Sequence, residues 1–466
     1  AIALEAEEQF PRKIKCSTIH SLAYQNTVKP LKLSLGYFGY RDIRERIPFL
    51  EKVIVIDIMQ LFFSSKYLKF DDYIQDEYYT KQRHLNEKFD IENEHLYKIA
   101  KKYIASMFNN KIPITHDGYL KLFHLLLANN RIELSYPFLA VDEIGDLVPV
   151  TYEIVKLIKA DKKIMAGDKY QAIYVFNNTI NAFDDEEYGT TLHMTKSFRC
   201  NKQVASLVKA FMQEYVDREF EFDGMGRYDK EPETMAYLFR TNSAMIGTII
   251  DLYQAGTKFN LTRKSSQIFD LVLSLVSLKP GYKISLPDYL WLNSELNKYW
   301  NDDFMQQRYG SALNYIDEEF SETDPAIKNA IRIIRKYGSI SIYKAYKFAK
   351  ELENESGKHR VTVSTVHASK GLQWDNVIIG SDMNRIITNV LEKKNQGEQL
   401  TKEDEAEFLL YYVACSRAKQ KLIGATYAED ALNTCQSTFE EELDARISRT
   451  EHQTDREYNQ SDPLGA

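Results

Sequence analysis

The side chains best suited to chemistry are two adjacent carboxylates, Asp142 and Glu143, in the run Phe138-Leu-Ala-Val-Asp-Glu-Ile-Gly-Asp146. Apolar residues leading straight into acids describe a buried parallel strand, and ligands sit beyond the carboxyl ends of such strands. Two acids there divide into two roles, one holding Mg²⁺ and one polarising a water that attacks a phosphate. A solvated strand end is the bland alternative, and the pair alone favours it. A second strand end follows in Ile164-Met-Ala-Gly-Asp-Lys-Tyr-Gln171. The neutral amide of Gln171 can bond both a terminal phosphate and the attacking water. Phe176 could offer its face to a nucleobase, although a core aromatic is the better reading of that residue alone. Arg240, in Leu238-Phe-Arg-Thr-Asn242, and Arg417, in Tyr411-Tyr-Val-Ala-Cys-Ser-Arg417, suit arginines that reach a transferring phosphoryl group. Each one singly is more often a surface ion pair.

These groups need sheets behind them. Strands are expected at Phe138–Val141, Lys163–Ala166 and Thr191–Met194, with helices Val150–Lys159 and Lys202–Tyr215 between and after them. Apolar strands alternating with crossover helices argue for a parallel α/β sheet. Thr234–Arg240, Val361–Thr365, Asn376–Gly380 and Leu422–Ala425 are further strands, with helices Ser243–Gln254 and Phe408–Lys419. Residues 30–110 and 257–354 carry helical spacing with few breakers and read as insertions. Residues 1–10 read as an amphipathic helix stopped by Pro11, and Lys13–Cys16 as a short strand. The polar stretch after 438 is expected to be disordered.

At 466 residues the chain is too long for one ordinary core. Its net charge of −7, from 60 basic and 67 acidic residues, does not advertise a polyanion partner, yet a single groove can still be basic. The four cysteines show no Cys-x-x-Cys spacing, which disfavours zinc and suggests reduced thiols inside a cell. No apolar run reaches the roughly 18 residues of a membrane span, and no signal peptide opens the chain. A soluble intracellular protein, cytoplasmic in a bacterial or phage-infected cell, is expected.

In order along the chain come Thr18-Ile-His-Ser-Leu-Ala-Tyr24, Val141-Asp-Glu-x-x-Asp146, Gly167-Asp-x-x-Gln-x-Ile-Tyr-x-Phe176, Ser197-Phe-Arg199, Arg240-Thr-Asn242, Thr365-x-His-x-x-Lys-Gly-Leu372 and Tyr412-Val-Ala-x-Ser-Arg-Ala418. This ordered set resembles a superfamily 1 DNA helicase of the UvrD/Rep type. Thr115-His-Asp-Gly-Tyr-Leu-Lys-Leu122 and Ile2-Ala-x-x-Ala-Glu-x-x-Phe-Pro11 look nearest to the F-box DNA helicase branch, without an F-box segment.

The resemblance implies a P-loop NTPase-type α/β fold of two RecA-like parallel-sheet domains, each with a mainly helical insertion. The first would take residues 1–29 and 111–233 around the insertion 30–110, and the second 234–256 and 355–437 around 257–354. ATP and Mg²⁺ would bind between them. Asp142 would hold the metal, Glu143 would activate water and Gln171 would report on the terminal phosphate. Arg240 and Arg417 would reach across, with Gly371 and Gln373 also on the nucleotide side. Thr18, His20, Ser21, Phe176, Thr365 and His367 would face single-stranded DNA, with translocation 3′→5′. Partners would be single-stranded DNA and single-strand/duplex junctions, with recombination or replication proteins as candidates and no membrane.

Four departures stand beside that pattern. No Gly-x-x-x-x-Gly-Lys-Ser/Thr phosphate loop occurs, and the family carries it just ahead of the point where this sequence starts. Weak ATPase activity is therefore expected of the sequence as written. Gly145 replaces a glutamine, Asn177-Asn178 replace Arg-Gly after Phe176, and Gln373 replaces a glutamate. The leading expectation is an ATP-dependent DNA helicase, truncated before its phosphate loop. The alternative is a non-catalytic helicase-like module that holds DNA or a recombination protein. A helicase–nuclease motor is disfavoured by the short stretch after 438.

Overall fold

The computed structural model describes residues 11, 14–78, 94–171, 189–286, 289–321, 324–355, 357–435 and 437. The expected helix at 1–10, Phe176 with Asn177-Asn178, and the tail beyond 438 lie outside the described residues. The chain divides into two compact units, 1–189 and 190–466.

In the first unit Thr18 starts helix α1 (Ile19–Asn26), its Oγ1 accepting the Ser21 N–H at 3.1 Å. Ile14 to Thr18 forms no strand, contrary to the expectation for Lys13–Cys16. Helices α2 (Phe49–Ser64), α3 (Glu94–Phe108) and α4 (His116–Ala128) make the insertion and its seat. On α3 the buried residues Leu96, Tyr97, Ala100, Tyr103, Ile104 and Met107 recur every three or four positions, which turns one stripe into the core. Thr115 caps α4 through the Gly118 N–H.

Lys121, fully buried on α4, is the odd member of this aromatic core. Its Nζ donates to the carbonyls of Ser65 at 2.8 Å and Tyr67 at 2.5 Å, and lies 4.6 Å from the centroid of the Phe62 ring. The ammonium thus satisfies carbonyls at and beyond the end of α2 and ties the insertion to α4. One turn on, His124 is 1% exposed and its Nδ1 has no hydrogen-bond partner.

Strand β1 (Ser135–Val141), helix α5 (Pro149–Leu157) and strand β2 (Lys159–Met165) follow as a βαβ unit. The strands pair in parallel, Ser135 opposite Lys159 and Val141 opposite Met165. A fully buried strand was the expectation for β1. Instead Phe138 is 51% and Ile164 56% exposed, because the described sheet of this unit has only two strands.

The second unit begins earlier than the sequence suggested. Thr191–Met194 is irregular and leaves Leu192 and Met194 exposed; the short strand is β3 (Lys196–Ser197), paired with β4 (Asp223–Gly224). Helix α6 (Lys202–Tyr215) runs as expected but packs with residues far downstream. The Asn201 backbone N–H donates to the Lys419 carbonyl and its Nδ2 to that of Gln420. Phe211 stacks on Tyr411 at 4.6 Å. Residues 190–233 therefore belong with the second unit and not with the first.

The main sheet of this unit contains β5 (Met235–Phe239), β6 (Phe259–Leu261), β7 (Val361–Thr365), β8 (Trp374–Ile379) and β9 (Ala418–Ile423). Their order is β6-β7-β5-β8-β9, all parallel. Helix α7 (Asn242–Gln254) connects β5 to β6. The helical insertion contains α8 (Ser265–Val276), α9 (Leu292–Trp300), α10 (Asp303–Tyr309), α11 (Ala312–Phe320) and α12 (Pro325–Leu352). The last is two helices meeting at Gly338, whose φ of +72° suits glycine. After β7 come a single turn α13 (Val366–Ser369), then α14 (Ser381–Asn395) beyond β8, and α15 (Lys402–Cys415) before β9. All four cysteines are free: Cys200 and Cys415 are buried, Cys16 is half-buried and Cys435 exposed.

Replacing Lys121 by Met keeps its bulk and orphans buried carbonyls; denaturant unfolding of the first unit should register a loss of about 1–3 kcal/mol. Burial, with help from the Lys121 charge, lowers the His124 pKa from 6.5 to about 4. Between those values the unfolded chain takes up a proton that the fold refuses, so stability should decline as pH drops from 6.5 towards 4. Unfolding curves of His124→Leu across that range should lack this component of the slope.

Candidate nucleotide and nucleic-acid sites

Parallel pairing of β1 and β2 brings their carboxyl ends to one edge of the sheet. The Ala166 N–H donates to the Val141 carbonyl at 2.8 Å, and the Ile144 N–H returns to the Ala166 carbonyl at 3.1 Å. These bonds lay the Asp142-Glu143 turn beside the loop from Gly167 to Gln171. Both acids are exposed. Asp142 Oδ1 accepts the Glu143 N–H at 3.0 Å, which leaves its second oxygen for another partner. Glu143 has a φ of +56°, a conformation that costs a non-glycine residue of order 1–3 kcal/mol. The strain turns the chain sharply at the strand tip and stands the carboxylate off the edge. Asp168 orders its own loop: Oδ1 accepts the Tyr170 N–H and Oδ2 the Gln171 Nε2–H, both at 2.9 Å. The amide of Gln171 is thereby oriented within its own loop. Sequence reading had passed over this role of Asp168.

Among the described residues no group of three or more His, Cys, Asp or Glu side chains is gathered to hold a metal. That excludes a closed protein cage there, but not the arrangement Mg²⁺ favours, one or two carboxylates supplemented by phosphate and water. Asp142 meets that requirement.

In the second unit the chain leaves β5 towards β6 at one edge and leaves β8 towards β9 at the other. Neighbouring β5 and β8 therefore form a topological switch point, where ligands of open α/β sheets bind. Arg240 follows β5 there. Its guanidinium lies side-on to Glu407 of α15, Nε at 3.0 and 2.9 Å from the two carboxylate oxygens and Nη2 at 2.8 Å from Oε1. Asp382, just past β8 and 3% exposed, accepts the backbone N–H groups of Arg240 and Thr241 on Oδ2, each at 3.0 Å. Burial raises the Asp382 pKa. Arg417 directly follows α15 and is 1% exposed; its Nε donates to the Val413 carbonyl and its Nη2 to Ser416 Oγ, each at 3.0 Å. Arg240, Asp382, Glu407 and Arg417 thus share one corner of connected elements. Glu407 and Asp382 were missed in the sequence, where only the Thr401–Asp404 capping box marks the start of the helix that carries Glu407.

The expected DNA-facing residues divide between the units. In the first, Thr18 is the cap of α1 and Ser21 is exposed beside it. The His20 side chain is 43% exposed, 3.9 Å from Asp117, with its ring edge-on to Tyr119. In the second, Thr365 is 5% exposed and its hydroxyl caps α13, accepting the Ala368 N–H at 3.4 Å. It supports the turn that carries half-buried His367 and does not itself form the surface. Gly371, with φ +80°, and Gln373 are exposed in the loop before β8.

Two family profiles match this chain. The UvrD/REP helicase N-terminal domain covers residues 4–186, and the UvrD-like helicase C-terminal domain covers 294–429. The chain belongs to the UvrD-like helicases. Their domains are RecA-like P-loop NTPase folds, in agreement with the parallel sheets described above, and they use ATP with a metal ion. The chain is similar to F-box DNA helicase protein 1 of Schizosaccharomyces pombe, 25% identical over 477 residues, covering 90% of the chain and 51% of the relative. F-box DNA helicase 1 of Gallus gallus is 25% identical over 470 residues, covering 93% and 44%. A probable DNA helicase II homolog of Mycoplasma genitalium is 20% identical over 417 residues, covering 68% and 58%. The chain spans about half the length of these relatives. Among its described residues no helix is long and apolar enough to cross a membrane.

Proposed function

We propose that this UvrD-like chain is the motor portion of an ATP-dependent DNA helicase that moves along single-stranded DNA 3′→5′ inside the cell. The supporting observation is the shared edge of β1 and β2, where Asp142, Glu143, Asp168 and Gln171 stand together on adjacent strand ends. Asp142 would hold Mg²⁺, which supplies charge neutralisation on the phosphate oxygens. Glu143 accepts a proton from the attacking water, and Gln171, oriented by Asp168, senses the terminal phosphate. Arg240 and Arg417 balance the charge that develops during phosphoryl transfer. Thr18, His20, Ser21, Phe176 and His367 meet the strand, with Thr365 setting the position of His367. Single-strand/duplex junctions are the substrates, and recombination or replication proteins are candidate partners. Residues 1–29 with 111–189 would form the first RecA-like domain, and the second sheet, extended by residues 190–233, the other.

One observation favours a second reading, a helicase-like module that binds without turnover. Gly145 is buried and has no side chain to link the acids to a DNA surface. Turnover separates the two readings.

In the protein as its gene encodes it, single-stranded DNA should stimulate ATP hydrolysis, and Glu143→Gln should cut kcat by about 10²–10⁴-fold while ATP binding persists. Undiminished turnover in Glu143→Gln would remove the water-activating role; absence of hydrolysis in the parent would favour the binding module. Affinity for a single-stranded oligonucleotide should decline with salt by about 0.7 log units per log unit of salt for each phosphate contact. A response indifferent to salt would count against a backbone-tracking groove.

A further inference from the structure

Arg240 carries five N–H donors, and the side-on pairing engages only the Nε–Nη2 edge. Among the described residues nothing else bonds to this guanidinium, so its Nη1–Nη2 fork faces away from Glu407. That fork has the geometry to take two oxygens of a phosphate at once. Glu407 therefore does not compete for the end of the arginine that a phosphate would use. It fixes the torsion of a long side chain whose freedom would otherwise be lost on binding. The backbone is fixed as well, since Asp382 accepts the N–H groups of Arg240 and Thr241 and the Thr241 hydroxyl at 3.3 Å. The partners are well shielded, with the Arg240 side chain 31% and the Glu407 side chain 19% exposed, so solvent weakens the pairing less than at an open surface.

We propose that Glu407 is a positioning residue for phosphoryl transfer: it holds Arg240 side-on so that the free fork is presented to the terminal phosphate of the nucleotide. The inference rests on the ATPase reading given above. Glu407 stays paired throughout the cycle and is not a latch that must open. Because Arg417 directly follows the helix that carries Glu407, α15 sets both arginines, one through a carboxylate and the other through the Val413 carbonyl and Ser416 hydroxyl. A small rotation of α15 would then move both cations together.

The test is a double-mutant cycle on ATP turnover, stimulated by single-stranded DNA, in the protein as its gene encodes it. Arg240→Ala should lower kcat about 10³–10⁵-fold, the range for loss of such an arginine. Glu407→Gln, which keeps the shape and loses the charge, should lower kcat about 10–100-fold with KM for ATP little changed, because misplacement alone has effects of that order. Glu407→Asp, which keeps the charge and loses reach, should fall in the same direction and serves if the amide variant folds poorly. In the Arg240→Ala background, Glu407→Gln should add nothing further. Full additivity of the two losses would overturn the proposal by showing that Glu407 acts apart from Arg240, as would wild-type kcat in both Glu407 variants. Unchanged turnover in Arg240→Ala would instead sink the phosphate role of Arg240 itself, an outcome recognisable without any Glu407 variant.

Discussion

Parallel pairing places the carboxyl ends of neighbouring strands on one edge of a sheet, and the chemistry of both units depends on it. The two bonds that join the turn after β1 to the loop after β2 are backbone bonds, indifferent to side-chain identity. They set the Asp142 turn beside the Gln171 loop before any ligand is present. In the second unit the same rule operates where the chain reverses direction across the sheet. Arg240 and Asp382 meet because β5 and β8 are neighbours there, although 142 residues separate the two positions. Side chains then add orientation to what the backbone has brought together: Asp168 for Gln171, Glu407 for Arg240.

The two units reach stability by different means. The insertion of the first is an aromatic core of Phe62, Phe63, Tyr73, Tyr97, Tyr103 and Phe123, into which Lys121 projects a charge. A buried cation without hydrogen bonds would be costly, and here carbonyls and a ring face supply its solvation. The second unit relies on a five-stranded sheet and on long helices, one of them broken at Gly338. Local strain is concentrated at Glu143, a strand-end acid in a left-handed conformation. Rigid elements around it hold that turn, as befits a group whose direction matters more than its comfort.

Much of this was legible in the sequence because the relevant signals are local. The extents of α6 and β7 followed from apolar periodicity, and the ordered motifs pointed to the family. Strands with polar stretches escaped. β2 begins at Lys159, earlier than its apolar core suggests, since Asp161, Lys162 and Lys163 hide the pattern on an exposed pair of strands. β9 likewise opens with Lys419, Gln420 and Lys421 before its apolar end. Thr191–Met194 looked like a strand from composition, yet no neighbour pairs with it. The start of the second unit was misplaced because the contacts of Asn201 with Lys419 and Gln420 span more than two hundred residues. Glu407 escaped for the same reason: nothing near it in sequence names Arg240.

The cysteines described earlier have a practical consequence. Burial raises the thiol pKa of Cys200 and Cys415, so neither offers a thiolate at neutral pH. Half-buried Cys16 and exposed Cys435 remain reachable, and they lie in different units. The natural chain thus carries one chemically addressable handle on each unit. A donor and an acceptor dye attached there would report their separation by energy transfer, with no cysteine added or removed.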